Sequence, residues 1–100
     1  MEKRKFAFLL KGEDYDPIVQ QTFFETPFMT TYVFTVRNFE EAAAKVQALA
    51  EEGFGVIELC GAFGPEKARE YQQLTGGRVA IGYVTHSPEQ DHLFAAFFGE

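Results

Sequence analysis

The chain has a single cysteine, Cys60, so no disulfide can form within it and packing alone must hold the fold. No apolar run approaches the ~18 residues that a membrane-spanning helix needs, which excludes a spanning segment from the expectations. Basic residues are few. The 9 Lys and Arg stand against 15 Asp and Glu, for a formal net charge of −6. They cluster only at Lys3-Arg4-Lys5, which reads as a solvated lead-in to a strand. No nucleic-acid partner is expected, because binding a phosphate backbone needs grouped cations. The first residues lack the apolar core and small-residue cleavage site of a signal peptide, which predicts a cytoplasmic protein.

Motifs that name a reaction are also absent. The Gly61-Ala-Phe-Gly64 turn has neither the Gly-Lys-Ser/Thr end of a P-loop nor the Gly-x-Gly-x-x-Gly spacing of a dinucleotide site, so no cofactor is expected. His86, Glu89, Asp91 and His92 match no zinc spacing. Glu13, Asp14 and Asp16 lack the glycine and the distal glutamate of a calcium loop. No metal site is expected.

What the chain does have is phenylalanine: 12 Phe and 4 Tyr in 100 residues, a length that suits one domain spanning 1–100. Two groups of Phe lie outside the predicted central strands, Phe23, Phe24 and Phe28, then Phe94, Phe97 and Phe98. Each gains about 2–3 kcal/mol from full burial, so these groups should find a cover.

In order, the pattern predicts a strand over 5–10, a long loop over 12–28 and a strand over 29–37. A helix follows, capped by Asn38 and Glu41 and ended by Gly53. Then come a strand over 54–60, a helix opened by Gly64-Pro65 and ended by Gly76-Gly77, a strand over 78–85, and a short C-terminal helix begun by Ser87-Pro88. This is a single small α/β domain with a mostly parallel four-stranded sheet. Right-handed crossovers between the last three strands, laid side by side, would put both long helices on one face. The other face is then covered by the Phe-bearing loop, by the C-terminal helix or by a second subunit. The first two are short, so a homo-oligomer is expected. A doubly wound sheet is the alternative.

The stretch Gly55-Val-Ile-Glu-Leu-Cys-Gly-Ala-Phe-Gly64 organises the rest. Alternation puts Val56, Glu58 and Cys60 on one side of their strand. Glu58 is an acid in an apolar strand. It is either a general acid/base or ligand anchor, or a structural partner for Arg37, Arg78 or a backbone donor. Cys60 falls at the carboxyl end of its strand, where ligands of open parallel sheets collect; it is a reactive thiol there or simply packs. The turn after it leads into a helix N-terminus, which favours anions. His86 follows the fourth strand at the same edge. It either joins Cys60 in one pocket or hydrogen-bonds its own turn.

Gly12-Glu-Asp-Tyr-Asp-Pro17, Ile57-Glu-Leu-Cys-Gly-Ala-Phe-Gly64 and Gly82-Tyr-Val-Thr-His-Ser-Pro-Glu-Gln-Asp91 together resemble a family of small bacterial proteins of unknown function, over nearly the whole chain. The resemblance marks Glu58, Cys60, Gly61, Phe63, Gly64, Tyr83 and His86 as positions to test, and implies no activity. Three readings result. The first is an oligomeric module that binds a small polar or anionic metabolite at the carboxyl ends of the third and fourth strands. The second is a small enzyme using Glu58 and His86, with Cys60, for acid/base or thiol chemistry. The third is a partner-binding subunit without a ligand.

Overall fold

The first strand of the sequence lies in the middle of the sheet. The structure is a computed structural model and describes residues 3–99. β1 (Arg4–Lys11) pairs in parallel with β3 (Met29–Val36) on one side and with β4 (Val56–Leu59) on the other. β5 (Ala80–Tyr83) adds in parallel to β4, and β2 (Thr22–Glu25) adds antiparallel to β3, giving the order β2-β3-β1-β4-β5. α1 (Phe39–Glu51), α2 (Gly64–Leu74) and α3 (Asp91–Phe98) complete the chain.

The α/β class and the element order agree with expectation. The strand count does not: the sheet is mixed and has five strands, not four. The extra strand lies inside the stretch expected to be a loop. Thr22-Phe23-Phe24-Glu25 has the right residue types for a strand, but four residues carry no period to read. A turn sets its register. The Thr26 hydroxyl accepts the N–H groups of Phe28 and Met29 at 3.3 and 3.1 Å, and the Thr26 N–H donates to the Met29 carbonyl at 2.8 Å. Phe23 then stacks on Tyr32, with ring centroids 5.4 Å apart.

Asn38 caps α1 through its side-chain oxygen, which accepts the Glu41 N–H at 2.8 Å. The return bond of the expected capping box is displaced by one residue. The Glu41 carboxylate accepts the backbone N–H of Arg37 at 2.8 Å and also binds the Arg37 guanidinium. That side-chain hydrogen bond is the main reason the Glu41 carboxyl sits below its usual range and Arg37 above its own. Gly53 ends α1 with φ +87°, in the left-handed region where a Cβ would clash with the backbone.

Both crossovers, β3-α1-β4 and β4-α2-β5, step the same way across the sheet, so their right-handedness places α1 and α2 on one face. The core forms there. Ala7, Leu9, Val36, Ile57 and Leu59 from the strands meet Ala42, Val46 and Leu49 of α1 and Ala68 and Tyr71 of α2. The order of the parallel strands reverses at β1, as in the doubly wound alternative, but that alternative fails in its helices, since α1 and α2 share one face. The expectation that β3, β4 and β5 lie side by side also fails, because β1 separates β3 from β4.

Alternation turns Phe6, Phe8, Leu10, Val33, Val56 and Glu58 to the opposite face, and all of these keep some exposure. The loop and the C-terminal helix cover it only at its carboxyl end, where the buried Thr35 hydroxyl donates to the Gln20 carbonyl and Leu10 lies near α3. Phe24 is 60% exposed, Phe28 81% and Phe97 83%, and α3 has no buried residue. Among the described residues both Phe groups stay largely exposed, although Phe23 stacks on Tyr32 and Phe94 on His86. Among the described residues, no helix is long and apolar enough to cross a membrane.

Candidate functional site

β1, β4 and β5 end together, and a cavity of about 460 Å³ lies beyond their carboxyl ends. Leu10, Tyr15 and Val84 give it apolar walls, and α3 closes it with Phe94 and Phe98, one helical turn apart. Lys11, Cys60, Gly61, Ala62, Thr85 and His86 supply the rest of the lining. The position matches the general rule for open parallel sheets, where ligands gather outside the carboxyl ends of the strands.

Three of the residues singled out from the sequence meet in this cavity. Cys60 directly follows β4. Its N–H donates to the Leu9 carbonyl at 3.0 Å, and its sulfur accepts the backbone N–H of Lys11 at 3.4 Å. The thiol is thus held between the ends of β1 and β4. The Phe63 N–H donates back to the Cys60 carbonyl at 3.2 Å, which folds Gly61 and Ala62 into a tight turn at the cavity wall. His86 enters from the far side. Its ring stacks on Phe94 with centroids 3.8 Å apart and planes within 8°, and Nε2 lies 2.6 Å from the Asp91 carboxylate. That contact fixes Nε2 as a proton donor toward Asp91 and leaves Nδ1 as the second functional nitrogen.

The other four lie elsewhere. Phe63 is buried and packs edge-on between Phe39 and Tyr71 on the helix side of the sheet. Gly64 opens α2 with φ +76° and is not part of the cavity wall. Tyr83 pairs in register with Leu59 and so faces the helix side, 42% exposed. Glu58 sits in the middle of the open face, in register between Phe8 and Gly82. Its carboxylate lies over Gly82, where a Cβ would stand 2.6 Å from Oε1. The structural partners suggested for it are engaged elsewhere: Arg37 binds Glu41, and the Arg78 side chain donates to the Thr75 carbonyl at 2.9 Å. Among the described residues Glu58 forms no ion pair.

Sequence reasoning missed Leu10, Lys11, Tyr15, Val84, Thr85, Phe94 and Phe98. The i, i+4 spacing of Phe94 and Phe98 was the available signal, since it puts both rings on one side of a helix. A larger hollow of about 620 Å³ runs between α1 and residues 15–18. It is shallow, and its charges are already engaged: Arg37 pairs with Glu41, and the Lys45 ammonium sits 3.9 Å above the Phe34 ring. The cavity under α3 is the better site. Among the described residues, no three His, Cys, Asp or Glu side chains converge as a set of metal ligands.

Residues 4–99 match the model of a family of unknown function (DUF6506), and the chain belongs to that family. No curated protein and no solved structure matches the chain.

Proposed function

We propose that this member of the family is a homo-oligomeric binding protein that holds a small molecule in the cavity under α3. The observation that supports this is the convergence of Cys60, Gly61 and His86 with the aromatic pair Phe94 and Phe98 around one space of about 460 Å³. That volume falls in the usual range of small-molecule sites, as does a lining of many apolar groups and a few placed polar ones. The ligand that fits is amphipathic. An apolar part lies against Leu10, Val84 and Phe98, and a polar end meets the Gly61 and His86 side, the Lys11 ammonium being held 4.6 Å from the Phe39 ring. A free thiol suits a reducing, cytoplasmic setting.

A native mass spectrum of gently purified protein tests the reading. A reproducible extra mass on each chain is expected, and its loss in His86→Ala ties it to the cavity. Bare chains after mild purification, from several growth conditions, would favour the third reading, a partner-binding subunit without a ligand.

One observation favours the second reading, an enzyme. Cys60 and His86, the latter held by Asp91 from outside the lining, share one cavity, as a thiol and its base would. Glu58 is outside that cavity, so the chemistry would rest on His86 and Cys60. For a binding site, iodoacetamide near neutral pH should alkylate Cys60 slowly in the native protein and quickly once it is unfolded. Fast native alkylation that His86→Ala abolishes would move the assignment to the enzyme.

A further inference from the structure

The open face of the sheet carries a mismatch that one chain cannot resolve. Its residues are mainly apolar, yet two charged side chains from the strands share it: Arg4 at the amino end and Glu58 in the middle. Neither forms an ion pair among the described residues. No buried side-chain oxygen or nitrogen among them lacks a partner, so the Glu58 carboxylate is still reached by water in the single chain. Covering the face with an apolar surface would strand that carboxylate without water or a counter-charge, which is strongly unfavourable. The cover must therefore bring a cation to the centre of the sheet.

We infer that the cover is a second copy of this chain, docked face to face about a two-fold axis that sets Arg4 of each copy against Glu58 of the other. This rests on the homo-oligomeric half of the proposed function and is independent of the ligand. A two-fold contact is self-complementary: if one residue meets a second, the second meets the first. Arg4 and Glu58 lie on the same face at different heights along neighbouring strands, so one axis between them satisfies both charges twice. The same operation crosses the ends of the sheet. The outer side of α3, with Leu93 and Phe97, then lies toward the amino end of the other copy, where Phe28 and Met29 are exposed. Phe24, Phe28 and Phe97, each more than half exposed, supply most of the apolar area such a contact would bury, and Phe6 and Phe8 add the part they still expose. Gly82 has a role in this arrangement. Without a Cβ, it leaves the space in which the Glu58 carboxylate folds across the sheet.

Sedimentation velocity on the full chain tests the inference. A species of twice the 11.3 kDa chain mass is expected at micromolar concentration. Arg4→Glu and Glu58→Arg should each weaken the dimer at least tenfold, and the double exchange should restore it. Both side chains reach solvent, so circular dichroism should show folded variants, and Phe97→Glu is a further disruptive change that the single chain tolerates. A monomeric wild type, a dimer indifferent to all of these changes, or a different protein bound stoichiometrically to the face would overturn the inference. The mass bound in the cavity is read separately. A monomer that carries it sinks the dimer and leaves the pocket standing, and a charge-sensitive dimer without it does the reverse.

Discussion

Tyr71→Ala is expected to cost about 3–5 kcal/mol, as for other large aromatic side chains removed from a core. Tyr71 is fully buried in α2. Its ring packs edge-on against Phe63 at 6.0 Å, and Phe63 against Phe39 at 5.8 Å, so one aromatic line ties α2 to the turn after β4 and to the start of α1. Losing the α2 end of that line removes a large part of the 5–15 kcal/mol available to a domain of ordinary stability. The melting temperature should fall by roughly 15 °C or more. Differential scanning calorimetry checks this, and a drop under about 5 °C would mean that the helix layer closes over the gap. Alkaline pH probes the same side chain. Burial is the main cause, with the Glu70 charge second, of a Tyr71 phenol pushed up from 10.0 to about 12. The folded state keeps the proton longer than the unfolded state does. The stabilisation is thus complete below pH 10 and declines as pH rises from 10 to 12, by up to about 1.4 kcal/mol per pH unit. Tyr71→Phe should flatten that decline.

Phe94→Ala is expected to empty the cavity while leaving the fold almost unchanged. Phe94 is 43% exposed on a helix with no buried residue, so its removal should shift the melting temperature by only a few degrees. Its effect on the cavity is larger. The ring is both one wall of the cavity and the surface on which His86 stacks, so truncation widens the space and frees the imidazole together. Aromatic contacts of this kind contribute about 0.5–1.5 kcal/mol beyond the area they bury. With the lost wall, the fraction of chains carrying the bound mass should fall about tenfold or more at fixed protein concentration. Phe97→Ala should leave that fraction unchanged, because Phe97 is not part of the cavity wall. Equal losses in the two variants would show that α3 acts only as a greasy tail.

The residues that could be read locally were those whose roles are local. Asn38 before an apolar period, Gly64-Pro65 at a helix start and Gly76-Gly77 at a helix end carry their geometry in their own chemistry. β2 was not legible because an edge strand of four residues takes its identity from its neighbour β3. The central place of β1 was not legible either, since its apolar run fits equally well between any two strands. At the site, the shared edge of Cys60 and His86 followed from the parallel order of β4 and β5. Glu58 does not join Cys60 at the cavity, because it lies in the middle of its strand, two residues short of the carboxyl edge. Phe63 was read as part of the site from its place in the motif, but its ring turns into the core, where burial stabilises it.

The central position of β1 also has a consequence for synthesis. β1 leaves the ribosome before either of its two partners, and the later of these, β4, pairs Leu59 with Leu9. At about 5–20 residues per second, the fifty residues between them take roughly 3–10 s to translate. Throughout that interval Phe6, Phe8 and Leu9 belong to an apolar strand with at least one unfilled edge. A nascent chain of this protein therefore passes through a window in which it is a substrate for chaperones, and that window closes only when β4 emerges.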